Sequence, residues 1–350
     1  MPGYKPPRLL RNAHLQSVLS SIPLRRVAGR FALERTGATH QEHIVDAGDG
    51  VRLLGCHSTI PGRAARAMVL LLHGWEGSIE SGYMRHTAAQ LLTRGFDVFR
   101  LNFRDHGDSH HLNEGLFHSC RLAEVVQAAA WISEKFPSPH FLAAGYSLGG
   151  NFALRLALAA PSAGVPLQHA VAVCPAVDPK LILHALESGM PLYHWYFMSK
   201  WRESLRKKRA LFPHHHDFDD TVLAQDLRGL TRWLVQRHTG FAELDEYFEG
   251  YAIAGGRLST LQLPVSVLAA ADDPVIPIDT VRALQLPAHS FLEISEYGGH
   301  CGFIEGPTLR GFAERWVCER LELALASSDA LLTQPPAGKN NNSAAPNTSR

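Results

Sequence analysis

Gly145-Tyr146-Ser147-Leu148-Gly149 sets a serine hydroxyl between two glycines, after the apolar run Phe141–Ala144 and before the helix-forming run Phe152–Ala159. A free serine hydroxyl is a poor nucleophile at neutral pH, so such a motif does chemistry only with a base to take its proton. Strand, sharp turn and helix would supply the geometry. Small flanking residues permit a strained turn that lifts Oγ out of a sheet, beside the positive end of a helix. Taken alone, the motif favours the functional reading over an ordinary glycine-rich turn, and its context carries the rest.

The partners stand further along the chain. Asp272-Asp273-Pro274 follows the β-rich run Val265–Ala271, and Glu296-Tyr297-Gly298-Gly299-His300-Cys301-Gly302 follows the run Phe291–Ile294. An acid at the C-terminal end of a strand and a histidine on a glycine-rich loop suit nucleophilic catalysis in the chain order serine, acid, histidine. His300 would take the Ser147 proton, and the acid would hold the imidazole in the required tautomer. Of the two aspartates, Asp272 directly follows the strand and is the expected acid, with Asp273 bracing the loop. His73-Gly74-Trp75-Glu76-Gly77-Ser78 follows another apolar run and offers a backbone N–H, at Trp75, to pair with that of Leu148 as an oxyanion hole.

Eight β-rich runs would have to position these groups: Gln41–Asp46, Val51–His57, Ala67–His73, Asp97–Asn102, His140–Tyr146, Ala170–Cys174, Val265–Ala271 and Phe291–Ile294. The middle ones are apolar throughout, the mark of strands covered on both faces. Helix-length segments alternate with them at Tyr83–Arg94, Cys120–Lys135, Leu148–Ala159 and Thr308–Leu325, which predicts βαβ units. Gly48-Asp49-Gly50 predicts a hairpin between the first two strands, so the sheet should be antiparallel at its start and parallel after. Residues 1–40 read as an irregular arm with one short helix. The core is expected over 41–177 and 259–325, split by a helical lid insertion at 178–258 with helical patterns at Asp178–Ser188, Leu192–Leu211 and Thr221–Arg237. The tail 326–350 is too polar to order itself.

The bulk numbers exclude several classes. A net charge of +1 argues against a nucleic-acid surface or an acidic-membrane partner, and the basic stretch Arg202–Arg209 reads as a solvated helix face. Five cysteines without paired spacing fit reduced thiols. With no signal-peptide pattern and no apolar run of membrane-spanning length, the expectation is a cytoplasmic protein without an integral membrane segment. His106, His110, His111 and His214–His216 cluster, yet none shows a metal-ligand pattern, so neither metal nor cofactor is expected.

Over residues 40–320 these motifs, in this order, resemble the α/β-hydrolase superfamily. Arg11-Asn12-Ala13-His14-Leu15-Gln16-Ser17 and Asn102-Phe103-Arg104-Asp105-His106-Gly107-Asp108-Ser109 are similar to segments of its YheT-like branch, as are Thr239-Gly240-Phe241 and Glu246-Tyr247-Phe248 on the lid side. Ala13 stands where that branch usually has proline. The resemblance implies an α/β-hydrolase fold with a mostly parallel eight-stranded sheet. It also implies esterase or acyltransferase activity on small carboxylic esters of short to medium acyl length, with Ser147, Asp272 and His300 as the triad. Transfer of the acyl group to an alcohol instead of water stays open, since both reactions share an acyl-enzyme. Tyr193, Trp195, Tyr196 and Phe197 could line an acyl site or form lid core.

Overall fold

Strands that are apolar along their whole length need cover on both faces, and this chain supplies it. The computed structural model describes residues 3–332. One sheet of eight strands runs in the order β1-β2-β4-β3-β5-β6-β7-β8. Its strands are β1 (Thr39–Asp46), β2 (Arg52–Thr59), β3 (Met68–Leu72), β4 (Asp97–Leu101), β5 (Phe141–Tyr146), β6 (Leu167–Val173), β7 (Val265–Ala270) and β8 (Phe291–Ser295). β1 pairs antiparallel with β2, and β2 with β4, while the remaining neighbours are parallel. The mixed sheet expected from the turn at Gly48–Gly50 is therefore present.

Alternate residues of each central strand feed different cores, as the two-residue period requires. Met68, Leu70 and Leu72 of β3 join one apolar cluster; Val69 and Leu71 join the other. Two helices precede the sheet, α1 (Ala13–Ser21) and α2 (Pro23–Glu34). They correct the expectation of an irregular arm with one helix. Pro23 sits in the first turn of α2, where its missing N–H costs nothing and its fixed φ suits a helix start. Next come α3 (Gly82–Thr93), α4 (Leu122–Lys135) and α5 (Leu148–Ala163).

Five helices then separate β6 from β7: α6 (Pro179–Ser188), α7 (Pro191–Leu211), α8 (Asp220–Ala224), α9 (Leu227–His238) and α10 (Leu244–Glu249). The pattern at Thr221–Arg237 is two helices, because Asp226 accepts the Gly229 N–H at 2.7 Å and caps a new start. The chain closes with α11 (Ile278–Arg282) and α12 (Phe312–Leu332). Since α12 runs past residue 326, the boundary expected there is moved; positions 333–350 of the expected tail lie outside the described residues.

The basic stretch Arg202–Arg209 also needs correcting. Lys208 is wholly buried, and its ammonium lies 2.5 Å from Asp105 and 3.2 Å from the His110 carbonyl. An amphipathic stem lets the charge reach inward from a helix on which Arg206 and Lys207 remain exposed. The pair ties α7 to the loop after β4. Removing one member of a buried pair strands the other, so Lys208→Met should cost about 3–5 kcal/mol of unfolding free energy. Denaturant melts should show part of this recovered in the Lys208→Met/Asp105→Asn double variant, since asparagine tolerates the φ of 60° there and can still accept the Phe117 N–H.

Candidate active site

Ser147 caps α5 with φ 54° and ψ −119°, a left-handed conformation that a serine adopts only when its surroundings enforce it. They do so by leaving no room. A Cβ on Gly145 would meet the Gly149 carbonyl oxygen at 2.1 Å, and a Cβ on Gly149 would meet the Leu72 carbonyl oxygen at 2.3 Å. Both glycines are therefore required by close backbone approach. The Ser147 N–H donates to the Val173 carbonyl at 2.9 Å, tying the turn to β6. Oγ is left half-buried at the C-terminal edge of the sheet.

His300 reaches it. Nε2 lies 2.9 Å from Ser147 Oγ, and Nδ1 lies 2.9 Å from Asp273 Oδ2. An ionised carboxylate can only accept, so in the neutral ring Nδ1 carries the proton and Nε2 presents its lone pair to the hydroxyl. The acid on the ring is thus Asp273, not Asp272. β7 ends at Ala270, and the turn that follows aims the two neighbouring carboxylates differently. Asp273 Oδ1 accepts the N–H groups of Val275 and Ile276 at 2.8 and 3.0 Å, which orients the carboxylate. Asp272 takes the bracing task instead, accepting the Gly299 N–H at 2.9 Å.

Electrostatics follow from this geometry. Burial pushes the His300 imidazolium pKa down, but the Asp273 carboxylate, with Cys301 adding to it, outweighs burial and lifts the group to about 9. The raised value favours imidazolium, the form that exists after proton transfer from a serine.

The loop after β3 closes over Ser147. A Cβ on Gly74 would lie 3.2 Å from Ser147 Cβ, and the Gly74 N–H donates to the Tyr83 hydroxyl at 3.0 Å. His73 is fully buried, with Nε2 accepting the Phe103 N–H at 3.1 Å and Nδ1 2.8 Å from the Gly74 carbonyl. It is a neutral structural histidine. Trp75 and Leu148 flank Ser147 along one cavity wall. Leu148 opens α5, so its N–H precedes the helical hydrogen-bond ladder, and no acceptor among the described residues takes the Trp75 N–H.

Two residues on α1 complete the setting. Ser17 Oγ accepts the His300 N–H at 2.8 Å, and Gln16 Oε1 accepts the Ile304 N–H at 2.6 Å while its amide donates to the Ile304 carbonyl at 3.3 Å. Gly299 and Gly302 allow this contact, since a Cβ on either would run into the Ala13–Ser17 segment. The Arg11–Ser17 segment stood out in the sequence, but nothing in it pointed to a residue nearly three hundred positions away.

Ser147 lies between two spaces. A cleft of about 790 Å³, lined by polar groups such as Ser21, Arg26, Lys200 and Glu203, opens on one side. A smaller cavity of about 120 Å³ lies on the other, walled by Leu183, Leu186, Leu234, Tyr247 and Phe248. Phe197 borders both and stacks on Trp75 at 5.2 Å. Of the other aromatics in that run, Tyr196 lines the cleft, Tyr193 shares a 2.9 Å hydrogen bond with His14, and Trp195 is exposed.

Comparison with known proteins agrees with this architecture. The sequence profile described as alpha/beta hydrolase fold matches residues 67–307, more than half of the chain. YheT of Escherichia coli is 26% identical over 321 residues, covering 90% of this chain and 91% of its own. The mouse phospholipase ABHD3 is 26% identical over 250 residues, covering 69% of this chain and 60% of its own. Among solved structures, the Pyrococcus furiosus esterase Pf2001 superposes with a TM-score of 0.54 at 16% identity, covering 93% of this chain and 99% of its own.

Two measurements test the ring's partners. Asp273→Asn should lower kcat by about 10⁴-fold, the loss expected when the tautomer is reversed, while Asp272→Asn should do far less. A histidine acting as base on Ser147 must be neutral, so for that role wild-type kcat/KM should climb with pH through about 9. Removing the Asp273 charge should move that limb to lower pH.

Proposed function

The chain belongs to the α/β-hydrolase fold family, and on that premise we propose that it is a serine hydrolase that cleaves carboxylic esters through an acyl-enzyme on Ser147. The reading rests on one observation: the unbroken hydrogen-bonded line from Asp273 through His300 to Ser147 Oγ. In the first step Nε2 takes the hydroxyl proton as Oγ attacks the ester carbonyl. The oxyanion would form against the N–H groups of Trp75 and Leu148. Imidazolium then protonates the leaving alcohol, and water activated by the same ring releases the acid.

The two spaces divide the substrate. The apolar cavity suits the acyl chain and the polar cleft suits the alcohol. At about 120 Å³ the cavity is close to the roughly 150 Å³ hollow that holds one benzene ring, which argues for short acyl groups. Residues 178–258 act as a cap in this reading, with α6, α9 and α10 walling the acyl side. The wide cleft gives water access to the acyl-enzyme, which favours hydrolysis over transfer to an alcohol. Relatives named as a phospholipase and a monoacylglycerol lipase are compatible with ester chemistry on lipids.

With p-nitrophenyl esters, kcat/KM should peak at short chains such as butanoate or hexanoate and fall steeply by palmitate. Ser147→Ala should lose about 10⁶-fold in kcat yet unfold at the wild-type temperature. A flat chain-length profile, or an active Ser147→Ala, would sink the proposal.

A further inference from the structure

The outward faces of α1 and α2 are apolar where solvent should make them polar. α2 packs inward through Arg25, Gly29 and Leu33, which share one side at helical spacing. On the opposite side Leu24, Val27 and Phe31 recur at i, i+3 and i+7, exposed by 63%, 43% and 52%. Leu15 and Val18 do the same on α1, and Leu9 before it is exposed by 88%. A surface helix of a protein that meets only water carries this row on its inner face.

Charge surrounds the row. Lys5, Arg8, Arg11, Arg26, Arg30 and Arg35 are all exposed, and Glu34 is the one acidic residue before position 39. The near-neutral whole-chain balance conceals this segregation. An apolar stripe flanked by arginines and lysines is the composition of a helix lying in the headgroup layer of an anionic bilayer. A symmetric contact with a second copy is disfavoured, because it would set the same basic patch against itself.

Position adds a third argument. Ser20, Ser21, Ile22 and Arg26, at the joint between the two helices, line the polar cleft that contains Ser147. Exposed Leu192 and Trp195 lie on α7, near the hydrogen bond between His14 and Tyr193. No helix among the described residues is long and apolar enough to cross a membrane, so such contact would lie on the surface. We propose that the outer face of α1 and α2 docks on an anionic lipid bilayer and sets the cleft mouth against it.

Co-sedimentation with vesicles tests this without turnover, so its outcome does not depend on the ester-hydrolase reading. The wild-type chain should bind vesicles of phosphatidylcholine mixed with phosphatidylglycerol, bind phosphatidylcholine alone far less, and be released by salt. Leu24→Asp/Val27→Asp/Phe31→Asp and Arg30→Glu/Arg35→Glu should each weaken binding on the order of tenfold or more. All these positions are exposed, so cleavage of a dissolved p-nitrophenyl ester should persist and report a folded chain. Two results overturn the proposal. One is equal vesicle binding by wild type and both variants, or none by any. The other is a concentration-dependent dimer, seen by sedimentation velocity, that the same substitutions abolish, which would assign the face to a second copy.

Discussion

Three groups from three separate loops meet within hydrogen-bond distance at His300, and everything around the ring serves to keep them there. The carboxylate of Asp273 is held by two backbone N–H groups, the Ser147 turn by a carbonyl of β6, and the ring's own backbone by Ser17. None of these supports is a side chain free to rotate over many rotamers. A parallel sheet suits this, since its strand ends all present loops on one edge and rigid hydrogen bonding fixes their spacing. The cost appears as the strained backbone of Ser147, sustained by glycines that have no alternative.

Much of this architecture was legible in the residues. Continuous apolar runs identified the buried strands because burial on both faces removes any alternation. Ser147 and His300 were readable because the tight turns that carry them demand glycine neighbours, and glycine is visible in a sequence. Asp273 was not separable from Asp272, since which of two adjacent carboxylates faces a ring depends on a turn of a few residues. Lys208 was misread for a related reason. A lysine in a basic helix looks solvated until a distant carboxylate, here Asp105, draws it inward.

The arm shows the same limit from another side. Prolines near the start of the chain suggested irregular backbone, but a proline in the first turn begins a helix. Once α1 is a helix, Gln16 and Ser17 share its inner face and grip the His300 loop, while Leu15 and Val18 share its outer face. One nine-residue segment thus faces the site on one side and the surroundings on the other.

The grip of Ser17 on residue 300 has a consequence for how the protein matures. A chain emerging from the ribosome holds the Ser147 turn and its strand well before the segment carrying the imidazole is made, and the arm must wait for that segment. Such far-separated pairings bear the largest loop-closure penalty and form late. The line from Asp273 through His300 to Ser147 is therefore completed only when the last elements have docked.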